Sequence, residues 1–460
     1  VGWQITVFFC CSAYNTWYLR VFFSFKIALT LRNIQINSLA ITTIQLINKL
    51  TMYLLLVIIA IILVQFIVHS WLTRLNFKHW QPQVPESVRD VYTSEAYGRA
   101  REYQEDNYNL SQKLGFLNLA LMLGMLLTGG FGWLDQILLT QFGLTNELLR
   151  GLVFFGLIGL VSAIISLPFE WYSTFTIEAK YGFNRSTPKL FFMDKLRGII
   201  ISIIIGPAIY YLLYKFYYTA GNLFWLYTWA AVTIFSLFMS AFGVKLFLPL
   251  FNKLSPLTDD NLNTSIEQYA KKVQFPYGKI LVIDGSKRST KANAFFTGMG
   301  STRMIVLYDT LLATQTHPET LAVLAHEVGH YKRWHVYKML LISTLTTGFA
   351  LFVLGYILNN SQLSTALGAA QHSLHVGLLA FALLYSPISE VLSIISNIWS
   401  RKHEFEADDY AKQTYGGEAL ASALKKLTVT NLGNLTPHPA YVFVHYSHPP
   451  VVARLAALAK

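Results

Sequence analysis

Cysteine is nearly absent from this chain of 460 residues, and its two copies, Cys10 and Cys11, are adjacent. Neighbouring cysteines build neither a long-range disulfide framework nor a thiolate metal site, so any metal chemistry must come from histidine and carboxylate. Charge is scarce too: 13% of residues are charged, against 53% hydrophobic and 15% aromatic, and the mean hydropathy is +0.41. That balance excludes an ordinary soluble globule and points to an α-helical polytopic membrane protein. The net charge of +12 does not signal nucleic acid, because the basic residues are spread along the chain beside long apolar runs, as flanks of membrane spans are. Acidic residues are missing altogether from residues 1–51, which precede Met52, the first methionine. These residues read as an upstream extension to a working chain that starts at Met52; the alternative is an extra span or signal-like anchor around residues 5–25.

Seven stretches reach the length of about 20 apolar residues that a bilayer requires. They are residues 52–72, 114–134, 151–172, 195–214, 222–249, 336–358 and 374–399. Arg74, Lys78, Arg89, Arg99, Arg101 and Lys113 follow the first, Lys180, Arg185 and Lys189 follow the third, and the region after the fifth is basic. The loops after the second, fourth and sixth are nearly free of Lys and Arg. Because cytoplasmic loops retain basic residues, the pattern places the aqueous parts in the cytoplasm and makes this an integral, multi-pass protein of the lipid bilayer. The expected organisation is a membrane domain of five spans (52–250), a first aqueous part (251–335), two further spans (336–399) and a second aqueous part (400–460).

The last span carries a polar stripe. Ser386, Ser389, Glu390, Ser393, Ser396, Asn397 and Ser400 recur at steps of three and four and share one helical face. At that depth such a face meets protein or water, not lipid; serines alone would fit helix packing, and Glu390 shifts the balance to a wet cavity. The aqueous part reads as mixed α and β. KILVID (279–284) and MIVLY (304–308) suit strands, with NAFF (293–296) between them.

Within LAVLAHEVGHYKRWH (321–335), His326 and His330 stand four apart, so on a helix both imidazoles leave one face, with Glu327 beside them. This is the H-E-x-x-H pattern of zinc peptidases. A catalytic zinc takes a third protein ligand and leaves a position for water. A third histidine from an extended motif is excluded: Arg333 and Val336 stand where Gly and His would be needed, and His335 points about 140° away from His330 around a continuous helix. SRKHEFEADDYA (400–411) supplies Glu404, Glu406, Asp408 and Asp409. Glu404 and Asp408 share a face, so one can ligate while the other holds a ligating histidine by its second nitrogen.

HEVGH followed across two spans by RKHEFEAD resembles the integral-membrane CAAX prenyl proteases of Ste24 type, of the M48 zinc metallopeptidases, whose second motif R-x-x-E-x-x-A-D falls on Arg401, Glu404, Ala407 and Asp408. Further matching stretches lie at 169–187, 248–257, 283–296 and 446–455, and Lys291 departs from the family, where many members have histidine. The resemblance implies about seven transmembrane helices around a water-filled chamber, joined to a small α+β zincin-like protease domain. It implies one Zn2+ held by His326, His330 and Glu404, with Glu327 as general base. It also brings Asn293 to the cleft and His448 and Arg454 toward it, with Arg401 and Asp408 in support; His438 and His445 compete with His448 as the second stabiliser of the carbonyl oxygen. The implied substrate is a peptide or protein, prenylated at its C-terminal end, with no nucleic acid partner. The competing readings are a quality-control peptidase without prenyl specificity and a transporter or scaffold with a zinc-stabilised lobe.

Overall fold

The computed structural model describes residues 49–276, 278–297 and 304–460; the reading of residues 1–51 as an extension lies almost wholly outside them. Among the described residues, seven helices are long and apolar enough to cross a membrane. They are α1 (Lys49–Lys78), α2 (Ser94–Leu127), α4 (Glu147–Tyr172, continued by a π-helical turn, Ser173–Glu178), α5 (Pro188–Thr219), α6 (Phe224–Phe251), α10 (His335–Ile357) and α12 (Leu374–Thr414). The short α3 (Gly130–Thr140) and α11 (Gln362–Ala366) lie in the connections after α2 and α10.

Two expected boundaries move. The second span begins about twenty residues early and stops at Leu127, because Gly129 adopts φ +65° and starts the separate helix α3. The apolar window at 114–134 had run across that break. The expected boundary at residue 400 falls inside α12, whose 41 residues form one helix. At 1.5 Å per residue it is about 60 Å long, twice the hydrocarbon thickness of a bilayer, so a single rod serves both as span and as wall of the aqueous lobe.

The interior is packed at its two ends and open between them. No residue is buried between Ile58 and Leu72 on α1, Tyr103 and Leu126 on α2, Phe154 and Ile177 on α4, or Ala380 and His403 on α12. One end cluster joins Ile58, Leu126, Phe131, Phe154, Leu367 and Val376. Beneath it Asp135 is buried against Arg150 and His375, each 2.8 Å away. The α3 helix fits there because a Cβ on Gly132 would lie 1.9 Å from the carbonyl carbon of Gly368. The polar stripe of α12 faces the open middle: Gln65 of α1 donates to Glu390 at 3.2 Å and accepts from Ser386 at 3.0 Å, and Ser389, Ser393 and Ser396 line a groove against α10.

At the other end sits a four-stranded sheet of order β1-β2-β4-β3, made of Leu254–Pro256, Lys279–Ile283, Met304–Tyr308 and Ala294–Thr297 for β1, β2, β4 and β3. Strands β2 and β4 run parallel (Leu281 opposite Val306), and β3 runs antiparallel to β4 (Phe295 opposite Val306). β4 is buried on both faces: Ile305 and Leu307 pack with Leu321, Leu324 and Ala325 of α9 (His317–Lys332), whereas Met304 and Val306 pack toward Val244 and Leu248 of α6. This accounts for the unbroken apolar run MIVLY. The sheet therefore seats α9, and β3 is left at its edge. The remaining helices are α7 (Asp260–Lys272), α8 (Asp309–Thr314), α13 (Gly417–Thr430), α14 (Pro439–His445) and α15 (Val451–Leu458).

Candidate metal centre

The helix that carries HEVGH has a defined start. Thr316 caps α9 by accepting from the Glu319 amide, and the Glu319 carboxylate accepts from the Thr316 amide at 2.8 Å, a reciprocal capping box. Leu321, Ala322, Leu324, Ala325 and Val328 bury one stripe against the sheet. Along the flank that carries Ala322 and Ala325, α9 crosses α12 very closely at Gly329, where a Cβ would stand 3.0 Å from both Cα and the carbonyl oxygen of Ala407. Glycine in the first motif and alanine in the second thus let the two helices approach closely enough for side chains from both to share one point.

At that point His326, His330 and Glu404 each offer a ligand atom, all within 4.8 Å of one another. His330 Nε2 lies 3.3 Å from Glu404 Oε1 and 3.2 Å from His326 Nε2, and His326 Nε2 lies 3.5 Å from Glu404 Oε2. Glu404 is 4% exposed; its Oε2 makes no hydrogen bond and is faced by Arg454 Nη1 at 3.3 Å as an ion pair. Two imidazole nitrogens and a buried carboxylate that converge on one point are the donor set of a three-ligand site, the kind in which a catalytic metal keeps its fourth position for water. The residues present fit a catalytic divalent metal.

Behind the three ligands the groups are fixed. Asp408 Oδ1 sits 2.8 Å from His326 Nδ1, and Arg454 grips the same carboxylate with Nε at 2.8 Å and Nη2 at 2.6 Å. Burial works against a charged His326, but the bonds to Asp408 and Glu404 outweigh it and push its pKa up to about 9; the spot favours positive charge. His330 is held by a residue that the sequence reading had turned away from it. Trp334 takes φ +61° and breaks the helix, so His335 begins α10 rather than continuing α9, and its Nδ1 lies 3.0 Å from His330 Nδ1. Its Nε2 reaches Glu406 at 2.9 Å, and its ring stacks on His403 at 4.0 Å. A bulky aromatic in the left-handed region leaves no sequence signal beyond the short polar interruption KRWH.

The other expected site residues are distributed as follows. Glu327 is half-buried and shares a small crevice with Ala294 and Phe295 of β3. Asn293 is exposed one residue before that edge strand, its Oδ1 accepting from the Ala294 amide at 2.8 Å. His448 Nε2 lies 3.4 Å from Glu404 Oε1, with the ring 66% exposed. The two competing histidines are elsewhere: His438 caps α14, and His445 packs on His69 and Tyr441. Arg401 contacts none of the three metal ligands. Its guanidinium donates to the carbonyls of Val442 and Tyr446, and Asn397, one turn earlier on α12, donates to Val444. Together they clamp the end of α14 that leads into His448. Lys291, the departure from the family pattern, reaches Glu178 at 3.0 Å and Tyr103 at 2.8 Å in the membrane domain.

Two family models match adjoining parts of the chain. Residues 73–253 match the family described as CAAX prenyl protease N-terminal, five membrane helices, and residues 256–460 match peptidase family M48. The protein named CAAX prenyl protease 1 in Saccharomyces cerevisiae is 32% identical over 86% of this chain and 92% of its own length. The CAAX prenyl protease 1 homolog of Homo sapiens is 31% identical over 87% and 94%. The crystal structure of Ste24p from S. mikatae superposes with a TM-score of 0.83 at 32% identity, covering 88% of this chain and 99% of that one.

Proposed function

This chain belongs to peptidase family M48 and is a membrane-embedded metallopeptidase; from that premise we propose that its metal is zinc, held by His326, His330 and Glu404, and that it cleaves prenylated peptides near their C-terminus from the cytoplasmic side. The observation that carries the reading is the convergence of two α9 imidazoles and one buried α12 carboxylate, with ligand atoms all within 4.8 Å of one another.

What zinc supplies when bound is Lewis acidity toward water and toward a peptide carbonyl. Glu327, next to a ligand and not itself one, takes the proton from the attacking water and passes it to the departing amine. The carbonyl oxygen gathers negative charge as the carbon becomes tetrahedral. His448 donates to it, a contribution of about 3–4 kcal/mol for donors of this kind, and the Arg401 and Asn397 clamp on α14 keeps that histidine in place. The substrate adds as a strand beside β3, the outermost strand of the sheet among the described residues, which runs past Glu327, with the Asn293 amide at its entry.

Two features support a substrate with a lipid tail: the relatives are CAAX prenyl proteases, and the membrane helices leave their middles unpacked between the end clusters. The basic loops after the first, third and fifth spans support the cytoplasmic placement. The test is Glu327→Gln in purified full-length protein, offered farnesylated and unmodified peptides of one sequence. The reading expects metal content to persist, cleavage to fall by at least about a hundredfold, and the wild type to prefer the farnesylated peptide. Undiminished cleavage by the variant refutes the assignment of the base; equal cleavage of both peptides refutes the substrate and favours a quality-control peptidase.

A further inference from the structure

Beside α12, the corner between α9 and α10 and the Pro449–Pro450 stretch wall an open groove of about 890 Å³. Arg333 and Lys338 of the corner and Arg401 and Lys402 of α12 line it, against only Glu406 and Asp409. Several of these charges are already engaged. Arg401 holds the α14 carbonyls, Glu406 meets His335 at 2.9 Å and Lys402 at 3.9 Å, and Asp409 accepts from Gln413 at 2.8 Å. Arg333 and Lys338 are exposed and form no ion pair among the described residues. The groove thus keeps an excess of two cations with free donors.

Its position in the fold says what meets it. Trp334 is 63% exposed and Trp399 is 44% exposed; the first caps the start of α10 and the second lies within α12 where its apolar stretch gives way to SRKHEFEADD. Lys402 lies over the Trp399 ring at 5.6 Å. Exposed tryptophans beside lysine and arginine mark the headgroup level of a bilayer. On the membrane side of the belt, Val336, Leu341, Ile395 and Ile398 are exposed and apolar.

We infer that this groove binds the phosphate headgroup of an anionic membrane lipid. The Arg333 guanidinium and the Lys338 ammonium hold the phosphate oxygens, since a guanidinium fork and a mobile ammonium are the usual donors to phosphate. The acyl chains lie along the apolar faces of α10 and α12. A free phosphate ion would use the same donors but gains nothing from those faces. The inference rests on the membrane reading but not on the identity of the metal or the substrate.

The test uses full-length protein in neutral detergent, incubated with phosphatidylcholine and phosphatidylserine in equal amounts, with retained lipid read by native mass spectrometry. Phosphatidylserine is expected to be retained in preference, and Arg333→Glu with Lys338→Glu to lower its retention about tenfold. Reversal of two remote exposed cations, Lys271→Glu with Lys287→Glu, is expected to leave retention unchanged. Should the first pair fail to fold, Arg333→Gln with Lys338→Gln carries the same comparison with a smaller loss. The inference is overturned if both lipids are retained equally, if the double variant matches wild type, or if the remote pair has the same effect. It is also overturned if inorganic phosphate displaces the lipid, which would make this a soluble-anion site. A rise in peptide KM for the double variant in lipid-free detergent would instead assign the groove to a substrate carboxylate, and likewise overturns it.

Discussion

Replacing Gly329 by alanine separates the stability of the fold from the geometry of the metal centre. The added Cβ would stand 3.0 Å from two backbone atoms of Ala407 and 3.2 Å from the Tyr410 Cβ, a few tenths of an ångström inside comfortable contact. Those atoms belong to a 41-residue helix, which cannot yield locally, so α9 and α12 must part by that amount. Overpacking of this kind costs about 1–3 kcal/mol, and alanine's better helix propensity offsets about 1 kcal/mol, leaving a net loss of about 0–2 kcal/mol. The metal suffers more, because two ligands ride on α9 and the third on α12, and the separation enters directly into their spacing. Metal affinity is expected to fall about ten- to a hundredfold, as when a supporting group of a metal site is disturbed. Competition with a chelating dye reads the affinity, and thermal unfolding of chelator-stripped protein reads the fold. An alanine variant that holds metal as tightly as wild type would refute the claim that this crossing sets the site.

Two further outcomes follow from the surroundings of the site. Burial raises the Glu319 pKa, but bonds from Lys426, Ser422 and the capped Thr316 amide outweigh it and bring it to about 2. A depressed carboxylate stabilises the fold above its ordinary value near 4.5, and that contribution is lost as pH falls from there toward 2. Glu319→Gln is therefore expected to be about 1–2 kcal/mol less stable at neutral pH, after screening, and to lose less stability on acidification; thermal melts that stay parallel down the pH series would contradict this. Arg401→Met leaves the Val442 and Tyr446 carbonyls without their clamp, so kcat is expected to drop about tenfold or more while metal content is kept. Metal loss in step with activity would show that Arg401 supports the ligands instead.

Much of this architecture is legible in the residues themselves. The spans follow from apolar length and the strands from β-branched runs, and His326 with His330 follows from a spacing of four. What is not legible arises where tertiary contact decides. The window at 114–134 looked continuous because Gly129 breaks the helix without interrupting the apolar composition. His335 looked misdirected because its angle was reckoned on an unbroken helix, whereas Trp334 turns the chain and aims it back at His330. Arg401 was expected in support of the site from the motif it shares with Glu404, but only its place on α12 shows which groups it holds, the α14 carbonyls. Glu404 could not be singled out from Glu406, Asp408 and Asp409 by spacing, because the distinction lies in which face of α12 meets Gly329.

The central claim is that α9 and α12 jointly hold one zinc ion, and elemental analysis of purified full-length protein beside His326→Ala and Glu404→Ala tests it most directly. About one zinc per chain is expected in the wild type and close to none in either variant, with both variants still folded by thermal melt. Active wild-type protein free of zinc, or a Glu404→Ala variant that keeps its full complement, would contradict it.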